Sequence, residues 1–423
     1  MEETRARQLV ELEIGDLAAG GRGLARAGDG RVVFVAGALA GEKVLTRINR
    51  ERRDYLEAEA VEILAASPQR VQPPCPLYGR CGGCDFMHLG YPEQVRAKTA
   101  WVSRALRKLP GLPQPVIMPS PAAWGWRNRL RFQVDAGRLG FFARASHDLV
   151  QVERCPVAAP AVNLLLPGLA VLLAEPGGKA VAWVEVLAEG EEAYLTLGAG
   201  EGLDEAWLAS LEALPGVLGV SGGKAQARPY GLVYYQRPGL VLRAYPGQFS
   251  QVNFAANRLL IEAVLTLAGP GQGHSALDLY AGSGNFSLPL AAAGWRVLAV
   301  EGEHRAVRAA RRLIKANALG EAVETTQGEA GQALAELARA GQGFNLVVLD
   351  PPRTGAKGLM EGLLKLEPER VVYVSCHPAA LARDAAELAE AGYRPLGLTV
   401  VDMFPHTGHV EAVLGLQRRQ PGA

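Results

Sequence analysis

The five cysteines of the chain fall into two groups with different chemical possibilities. Cys75, Cys81 and Cys84 lie together in "CPLYGRCGGC", and Cys155 in "VERCPV" could complete a set of four thiolates. All-thiolate sets bind zinc or an iron–sulfur cluster, and the spacing alone does not choose between the two. In a long chain without secretory features, such cysteines favour metal binding over disulfides.

The fifth cysteine, Cys376, follows the apolar run "RVVYVS", which predicts a buried strand. A lone cysteine at a strand end is often an inert buried thiol. A thiolate is also a strong nucleophile, and C5 of a pyrimidine becomes reactive only after a group has added to C6. An enzyme that methylates an amine needs no such thiol. Cys376 is therefore the candidate nucleophile for a reaction at pyrimidine C5.

That reaction also needs a base to remove the C5 proton, and Glu411 in "FPHTGHVE" is the candidate. An unpaired carboxyl group in an apolar strand has a raised pKa that suits proton transfer. The alternative is an exposed strand glutamate. His406 and His409 in the same segment are further candidates, and either could instead be a structural hydrogen-bonding residue.

A strand-to-helix turn and the next strand end predict a nucleoside site. "DLYAGSGNF" places Gly282 and Gly284 in the turn, where glycine lets the backbone approach a ligand closely. The turn departs from the dinucleotide pattern G-x-G-x-x-G, and an ordinary tight turn is the alternative. Glu301 ends the second strand, and its carboxylate can accept from both ribose hydroxyls. Together these residues suit S-adenosylmethionine.

"DPPRTG" follows the fourth strand of the same region. Its two prolines fix a rigid backbone that can hold Asp350 and Arg353 beside a flat substrate. A structural turn is the alternative, and similar segments occur in methyltransferases that act on exocyclic amines. Asp350 adds a third strand end to the predicted cofactor site.

Charge is unevenly distributed although the net charge is only +1. Residues 71–154 carry 12 lysines and arginines against 5 acidic residues. In "WRNRLRF", Arg127, Arg129 and Arg131 alternate and would share one face of a strand. Such a face could bind nucleic-acid phosphates, or it could be a solvated sheet edge whose charges prevent aggregation.

The order of predicted strands and helices along the chain indicates three domains. Residues 1–70 read as a small OB-like β-barrel of five strands, and residues 71–245 as a mixed α+β domain that includes a helix at 92–109. Residues 246–423 alternate strands and helices, which predicts a Rossmann-like, doubly wound α/β domain closed by a hairpin. Ligands of such sheets bind at the carboxyl ends of the strands, where the candidate residues fall.

The composition of the chain argues against a secreted protein and against a membrane protein. The N-terminal "MEETRARQLVELEIGD" is too polar for a signal peptide, and no apolar run reaches the length of a membrane span. We expect a cytoplasmic protein that is monomeric and does not bind membranes.

The motifs together resemble those of the RNA uracil-5-methyltransferases of the RumA (RlmD) and TrmA type, over nearly the whole chain. "DPPRTG", "VVYVSC" and "DMFPHTGHVE" occur in the order and at the spacing of that family. The resemblance implies an N-terminal TRAM domain and a [4Fe-4S] cluster on the four cysteines Cys75, Cys81, Cys84 and Cys155. Both features belong to the ribosomal-RNA branch and favour 23S ribosomal RNA over tRNA.

Carried to this sequence, the resemblance makes Cys376 the nucleophile and Glu411 the proton acceptor, with Arg353 supporting the substrate. It implies cofactor contacts from Gln251, Tyr280, Asn285, Glu301 and Asp350, to which the glycine turn adds Gly282. The donor would be S-adenosylmethionine. The cluster would be structural or would position RNA.

Three positions depart from the family pattern. His377 stands where the family usually has asparagine, Ala380 where it often has threonine, and Met87 where it often has glutamine, while the adjacent His88 is kept. His377 bears on the environment of the thiolate and on substrate contacts.

The sequence thus predicts methylation of a flipped-out uridine in RNA through a covalent adduct between Cys376 and C6. The alternatives are a tRNA uracil-5-methyltransferase, an RNA amine or cytosine methyltransferase, and an RNA-binding protein without catalytic activity.

Overall fold

The computed structural model of the chain describes residues 9–199, 202–222 and 231–419. It divides into two compact units: residues 1–101, 139–156 and 404–409 form unit 1, and residues 102–138, 157–403 and 410–423 form unit 2. The first eight residues of the N-terminal polar segment lie outside the described residues. The predicted division at residues 70 and 245 stays a prediction.

A six-stranded sheet opens unit 1 in the order β1-β5-β6-β4-β3-β2. The strands are β1 (Leu9–Glu13), β2 (Asp16–Leu17), β3 (Gly23–Arg26), β4 (Val32–Ala36), β5 (Lys43–Glu51) and β6 (Tyr55–Ala65). β4 and β6 run parallel, and the other pairs are antiparallel. Alternating apolar residues such as Val33, Val35 and Val44 form its core. The predicted strands are present, and the two-residue β2 adds a sixth.

A basic helix, α1 (Tyr91–Ala105), follows the cysteine-rich segment. The sequence predicts this helix over residues 92–109, but the regular helix ends four residues earlier. Pro110 accounts for the last of these four residues, because a proline disfavours helical geometry in the residue before it, and residues 106–108 form turns. Buried Gln94 and Lys98 lie on its inner face.

The middle of the chain forms a mixed α+β arrangement. In chain order its elements are β7 (Val116–Met118), β8 (Arg129–Asp135), β9 (Arg138–Phe142), β10 (Leu149–Gln151), α2 (Pro160–Ala174), a 3-10 helix (Pro176–Ala180), β11 (Val181–Glu189), β12 (Glu192–Ala199), α3 (Glu205–Glu212), β13 (Val217–Ser221), β14 (Leu232–Arg237) and β15 (Leu240–Ala244). β8, β11, β12 and β13 are neighbours in one sheet, β9 and β10 pair as a hairpin, and β14 pairs with β15.

The last part of the chain alternates helices and strands as predicted. Its elements are α4 (Phe254–Ala268), β16 (Ser275–Leu279), α5 (Ser287–Ala292), β17 (Arg296–Glu301), α6 (His304–Ala316), β18 (Val323–Gln327), α7 (Ala330–Arg339), β19 (Leu346–Leu349), α8 (Met360–Leu364), β20 (Arg370–Ser375), α9 (Pro378–Glu390), β21 (Tyr393–Val401) and β22 (Glu411–Arg418). The sheet order is β18-β17-β16-β19-β20-β22-β21-β7.

The first five strands in this order, β18, β17, β16, β19 and β20, are parallel to one another. β22 runs antiparallel to β20, and the predicted closing hairpin is the antiparallel pair β21 and β22. The edge strand β7 comes from residues 116–118, far earlier in the chain, and pairs parallel to β21. Its three residues lie between prolines and carry too little periodicity to predict a strand. Within the described residues, no helix has the length and apolarity needed to cross a bilayer.

Candidate active site

The turn between β16 and α5 faces a cleft at the carboxyl ends of the parallel strands. Tyr280 has a φ of 62°, and Gly282 and Gly284 have φ values of 57° and 95°. Glycine is favoured at the last two positions because positive φ strains other residues. The cleft has a volume of about 320 Å³ and is lined by Tyr280, Val300, Glu301, Gly302, Glu303, Gly328, Glu329 and Ala330.

Glu301, at the end of β17, accepts hydrogen bonds from backbone amides of two loops. Its Oε2 accepts a hydrogen bond from the backbone N–H of Gly282 at 2.8 Å, and its Oε1 accepts from the N–H of Glu303 at 2.8 Å. The carboxylate therefore lies in the cleft in a fixed orientation. A ribose hydroxyl could donate to either oxygen, which has a second lone pair.

Asn285 belongs to a network of polar side chains beside the same turn. Its Oδ1 accepts from the hydroxyl of Tyr234 at 2.9 Å and from Nδ2 of Asn257 at 2.8 Å, and its Nδ2 donates to Oδ1 of Asn257 at 3.1 Å. Burial raises the pKa of Tyr234, so that its hydroxyl stays a donor. Gln251 is half-buried, two residues before the N-cap of α4, Asn253.

Asp278 is a buried carboxyl group that sequence reasoning did not single out. It lies within β16 and is fully buried, and Ser287 donates its hydroxyl to Oδ2. Burial raises its pKa to about 7. The signal was available, because one acidic residue interrupts the apolar run "SALDLY".

Cys376 follows β20 and is half-buried. Burial, and to a smaller extent the negative charges of Glu411 and Asp350, raise the pKa of its thiol to about 11, while Arg353 opposes them. These groups act on one another because they lie at neighbouring strand ends. The structure thus brings together the candidate nucleophile, the candidate base and the "DPPRTG" segment.

Glu411 is the first residue of β22 and pairs with Val401. Its side chain is 5% exposed, and Oε2 has no hydrogen-bond partner among the described residues. Burial raises its pKa well above the ordinary value, Asp350 adds to the effect, and Arg353 opposes it. The exposed-glutamate alternative is therefore wrong. Burial and the charge of Asp278 also raise the pKa of Asp350, to about 7.

Buried Asp384 on α9 holds the "DPPRTG" loop. Its Oδ2 accepts from the N–H of Ala356 at 2.8 Å and from the hydroxyl of Tyr373 at 2.6 Å. Arg383 donates to the carbonyl of Thr354 at 3.0 Å. A Cβ on Gly355 would lie 2.7 Å from Oδ2 of Asp384, so that only glycine allows this approach. These contacts of Asp384 and Arg383 could not be predicted from the sequence, because no local pattern marks their hydrogen-bond partners.

His377 is the N-cap of α9, directly after Cys376. Its Nδ1 accepts from the N–H of Ala380 at 3.2 Å, and its own N–H donates to the hydroxyl of Ser375 at 3.1 Å. A side-chain acceptor satisfies an otherwise unpaired amide at a helix start, and asparagine can do the same. The departure from the family pattern therefore preserves the cap.

The three arginines of the basic segment have different environments. Arg129 forms a 2.7 Å ion pair with Glu185, which is buried on β11. Arg131 is half-exposed, lies 3.3 Å from Glu185 and stacks over the ring of Trp183 at 4.1 Å. Arg127 donates to the carbonyl of Arg129 at 3.2 Å. Alternation in β8 is present, but Glu185 neutralises part of its positive face.

The four cysteines of the predicted metal site all lie in unit 1 and are partly buried. The N–H of Gly83 donates to Sγ of Cys81 at 3.4 Å, and the N–H of Cys81 donates to the carbonyl of Leu77 at 2.9 Å. Among the described residues, no three histidine, cysteine or acidic side chains converge to hold one metal ion. The predicted metal site is therefore not confirmed. An amide directed at a sulfur does suit a cluster thiolate.

Of the two histidine candidates near Glu411, His406 is 3% exposed. Its Nδ1 lies 3.1 Å from Nε2 of Gln94, and its N–H donates to Oε1 of Gln94 at 2.8 Å. The N–H of His409 donates to the hydroxyl of Thr407 at 3.3 Å. These contacts favour the structural alternative for His406.

Comparisons with known proteins match both ends of the chain. Residues 236–419 match the family model described as tRNA (Uracil-5-)-methyltransferase, and residues 3–61 match that of the TRAM domain.

Two full-length relatives carry the name 23S rRNA (uracil(1939)-C(5))-methyltransferase RlmD. The protein of Edwardsiella ictaluri is 37% identical over 97% of this chain and 96% of its own length. The protein of Halomonas elongata is 39% identical over 98% of this chain and 91% of its own.

A solved structure has a similar fold. The tRNA (uracil-54, C5)-methyltransferase of Pyrococcus abyssi, in complex with S-adenosyl-L-homocysteine, superimposes with a TM-score of 0.76. The two sequences are 23% identical, and the superposition covers 96% of this chain and 100% of the solved one. At this identity the likeness supports the fold.

Proposed function

Because the chain belongs to the RNA uracil-C5-methyltransferase family, we propose that it transfers the methyl group of S-adenosylmethionine to C5 of a uridine in 23S ribosomal RNA. The observation that carries the proposal is the grouping of Cys376, Glu411, Asp350 and Arg353 at adjacent strand ends. The relatives are named for uracil 1939, which is therefore the first nucleotide to test.

The reaction begins when the thiolate of Cys376 adds to C6 of the target uracil and forms an enolate. C5 then attacks the donor methyl group, and S-adenosylhomocysteine leaves. Glu411 takes the C5 proton, the C5–C6 double bond forms again, and the bond between C6 and Sγ breaks. The target must leave its base stack, because C6 is not accessible within a helix.

The environment of the two reacting side chains suits these roles. A raised pKa makes Glu411 a stronger base once it is ionised, and the carboxyl group has no competing hydrogen bond at Oε2 among the described residues. Arg353 favours the thiolate of Cys376.

The remaining site residues form two groups. We assign cofactor binding to Gln251, Tyr280, Gly282, Asn285, Glu301 and Asp350. RNA contacts are assigned to Arg353, Arg127, Arg129 and Arg131. Arg131 is the most accessible of the three arginines on and beside β8, whereas the ion pair with Glu185 limits what Arg129 can offer to a phosphate.

We also propose that Cys75, Cys81, Cys84 and Cys155 hold a [4Fe-4S] cluster. Four cysteine thiolates are the usual ligand set of such a cluster, and the N–H of Gly83, directed at Sγ of Cys81, suits a cluster thiolate. When bound, the cluster would cross-link the cysteine segment to Cys155. No step of methyl transfer passes through it.

The second candidate is methylation of uridine in tRNA, which the description of the matching family model favours. Both candidates predict the same chemistry at the same side chains, so the choice between them is a choice of RNA.

The test is mass spectrometry of products after incubation with labelled S-adenosylmethionine and either unmodified 23S ribosomal RNA or unmodified tRNA. We expect 5-methyluridine in the ribosomal RNA and none with the Cys376→Ala variant. Glu411→Gln should retain the covalent RNA adduct and lose product. Methylation that survives Cys376→Ala would place the enzyme among the amine methyltransferases. Product in tRNA alone would favour the second candidate.

A further inference from the structure

The loop between β21 and β22 leads directly into Glu411, the base of the proposed reaction. Val401 at the end of β21 pairs with Glu411 at the start of β22, so residues 402–410 form the connection of a hairpin. Residues 404–409 of this connection belong to unit 1, together with the cysteine segment and the first part of α1. Glu411 follows that segment by two residues. The contacts of residues 404–409 therefore add to the strand pairing that holds Glu411 in place.

Gln94 on α1 is the centre of that attachment. It is fully buried, and its two amide atoms contact both the loop and the cysteine segment. Oε1 accepts from the N–H of His406 at 2.8 Å. Nε2 lies 3.0 Å from the carbonyl of Phe86, 2.7 Å from that of Leu89 and 3.1 Å from Nδ1 of His406.

Backbone groups of the cysteine segment complete the attachment at His406. The carbonyl of His406 accepts from the N–H of Asp85 at 3.1 Å and from the N–H of Phe86 at 3.0 Å. Asp85 directly follows Cys84. His406 itself has a φ of 65°, a conformation that non-glycine residues keep only when their surroundings impose it. The contacts to Gln94, Asp85 and Phe86 supply that constraint.

Two further contacts hold the same loop. Buried Lys98, one turn along α1 from Gln94, donates from Nζ to the carbonyl of Phe404 at 2.8 Å. Gly408 packs against the backbone of Gly20, and a Cβ at Gly408 would lie 2.5 Å from the Gly20 carbonyl. The loop is thus fixed at its start, middle and end by groups distant in sequence.

We propose that Gln94 is a positioning residue for Glu411: it fixes the backbone of His406, and through it the hairpin connection from which the base enters β22. This inference rests on the proposed function, since it concerns the base of that reaction. It also assigns the cysteine segment a part in positioning the base, because Asp85 and Phe86 bind the same carbonyl.

The reaction sequence gives this role a distinctive readout. Addition of Cys376 to C6 and transfer of the methyl group to C5 do not use the base. Only removal of the C5 proton, which restores the C5–C6 double bond and expels Sγ, needs Glu411. A displaced base therefore leaves a methylated adduct in which RNA stays bonded to Cys376. A general loss of folding or of RNA binding leaves no adduct.

The experiment compares wild type, Gln94→Met and Glu411→Gln with ordinary uridine RNA and S-adenosylmethionine. Methionine keeps most of the volume of glutamine and removes its hydrogen bonds. We expect 5-methyluridine formation by Gln94→Met to fall about 100-fold, the usual result of a small misplacement of a reacting group. A covalent protein–RNA band should accumulate with both variants and not with wild type.

Thr99→Ala is the matched control, because Thr99 lies on the same helix and its hydroxyl donates to the carbonyl of Val95 within that helix. It should turn over normally. Gly408→Ala displaces the loop from the other side and should also accumulate the adduct, which keeps the test decisive if Gln94→Met does not fold.

Normal turnover by Gln94→Met, or loss of turnover by both loop variants without a covalent band, overturns the inference. The proposed function would survive either result as long as wild type forms 5-methyluridine and Glu411→Gln accumulates the adduct. Absence of product from wild type on every RNA would instead refute the function itself.

Discussion

At the residue scale, the thiol of Cys376, the proposed nucleophile, lies where its ionisation is opposed. Burial and the nearby carboxyl groups of Glu411 and Asp350 raise the pKa of Cys376 to about 11, and Arg353 is the opposing charge. Near neutral pH almost all of the thiol is therefore protonated in the protein without substrate. This protects Cys376 from unwanted alkylation and oxidation, since the thiolate is the reactive form.

The pH dependence of Cys376 alkylation tests this arrangement. With iodoacetamide, followed by peptide mass spectrometry from about pH 7 to about pH 11, we expect modification of Cys376 to rise only at the alkaline end. Glu411→Gln removes a negative neighbour and should shift the midpoint to lower pH. Arg353→Gln removes the opposing charge and should shift it higher. The control is Glu361→Gln, which removes an exposed carboxylate that forms an ion pair with Lys365. It should leave the profile unchanged.

At the element scale, the turn between β16 and α5 shows why two glycines of one motif are not equivalent. Gly282 has a φ of 57° and open space around the position of a Cβ. Gly284 has a φ of 95°, and a Cβ there would lie 1.9 Å from Cδ1 of Leu288 on α5. Leu288 follows Ser287, the hydrogen-bond partner of Asp278. A side chain at Gly284 therefore disturbs both this turn, the proposed cofactor site, and the helix α5.

The matched pair Gly282→Ala and Gly284→Ala separates these effects. Gly282→Ala should cost about 1 kcal/mol of stability, the strain of a left-handed alanine. Gly284→Ala should cost more, because Leu288 must also move, and it should weaken S-adenosylmethionine binding. Thermal unfolding and titration calorimetry measure the two quantities. Equal effects of the two variants would contradict the assignment.

At the scale of the whole molecule, unit 1 gathers segments from three parts of the sequence. Within the first of them, buried Glu42 links residues that precede and follow the strands β5 and β6: it accepts from the N–H groups of Leu39 and Ser67 and pairs with Arg70 at 2.6 Å. Burial alone would raise the pKa of Glu42, but these partners lower it, so the carboxylate stays ionised. The proposed cluster would join two of these segments, because Cys155 lies in a different one from Cys75, Cys81 and Cys84.

Metal analysis tests that cluster. After anaerobic purification, wild type should contain about four iron atoms per chain and absorb as an iron–sulfur protein. Cys81→Ser should lose most of the iron and unfold at lower temperature. Cys376→Ala removes a cysteine outside the predicted set and should keep the iron. Zinc in place of iron, or unchanged iron in Cys81→Ser, would refute the proposed cluster.

Much of the fold could be predicted from local pattern. The apolar runs before Asp350 and Cys376 are strands, and the alternation of strands and helices after residue 253 is as expected. These features follow from side-chain periodicity, which a strand or helix imposes on its own residues. The candidate site was predictable for a related reason: ligands of parallel sheets bind at strand ends, and the chemically distinctive side chains follow directly after the strands.

The sequence by itself determined the kind of chemistry, through a cysteine, a glutamate and a glycine turn at the ends of apolar strands. Only the tertiary structure decided how those groups are held. Gln94 and His406 are 312 residues apart, Arg129 is paired with Glu185, and β7 completes a sheet formed almost entirely by the last part of the chain. No local period encodes such partners, because buried polar groups are matched by their approach in space.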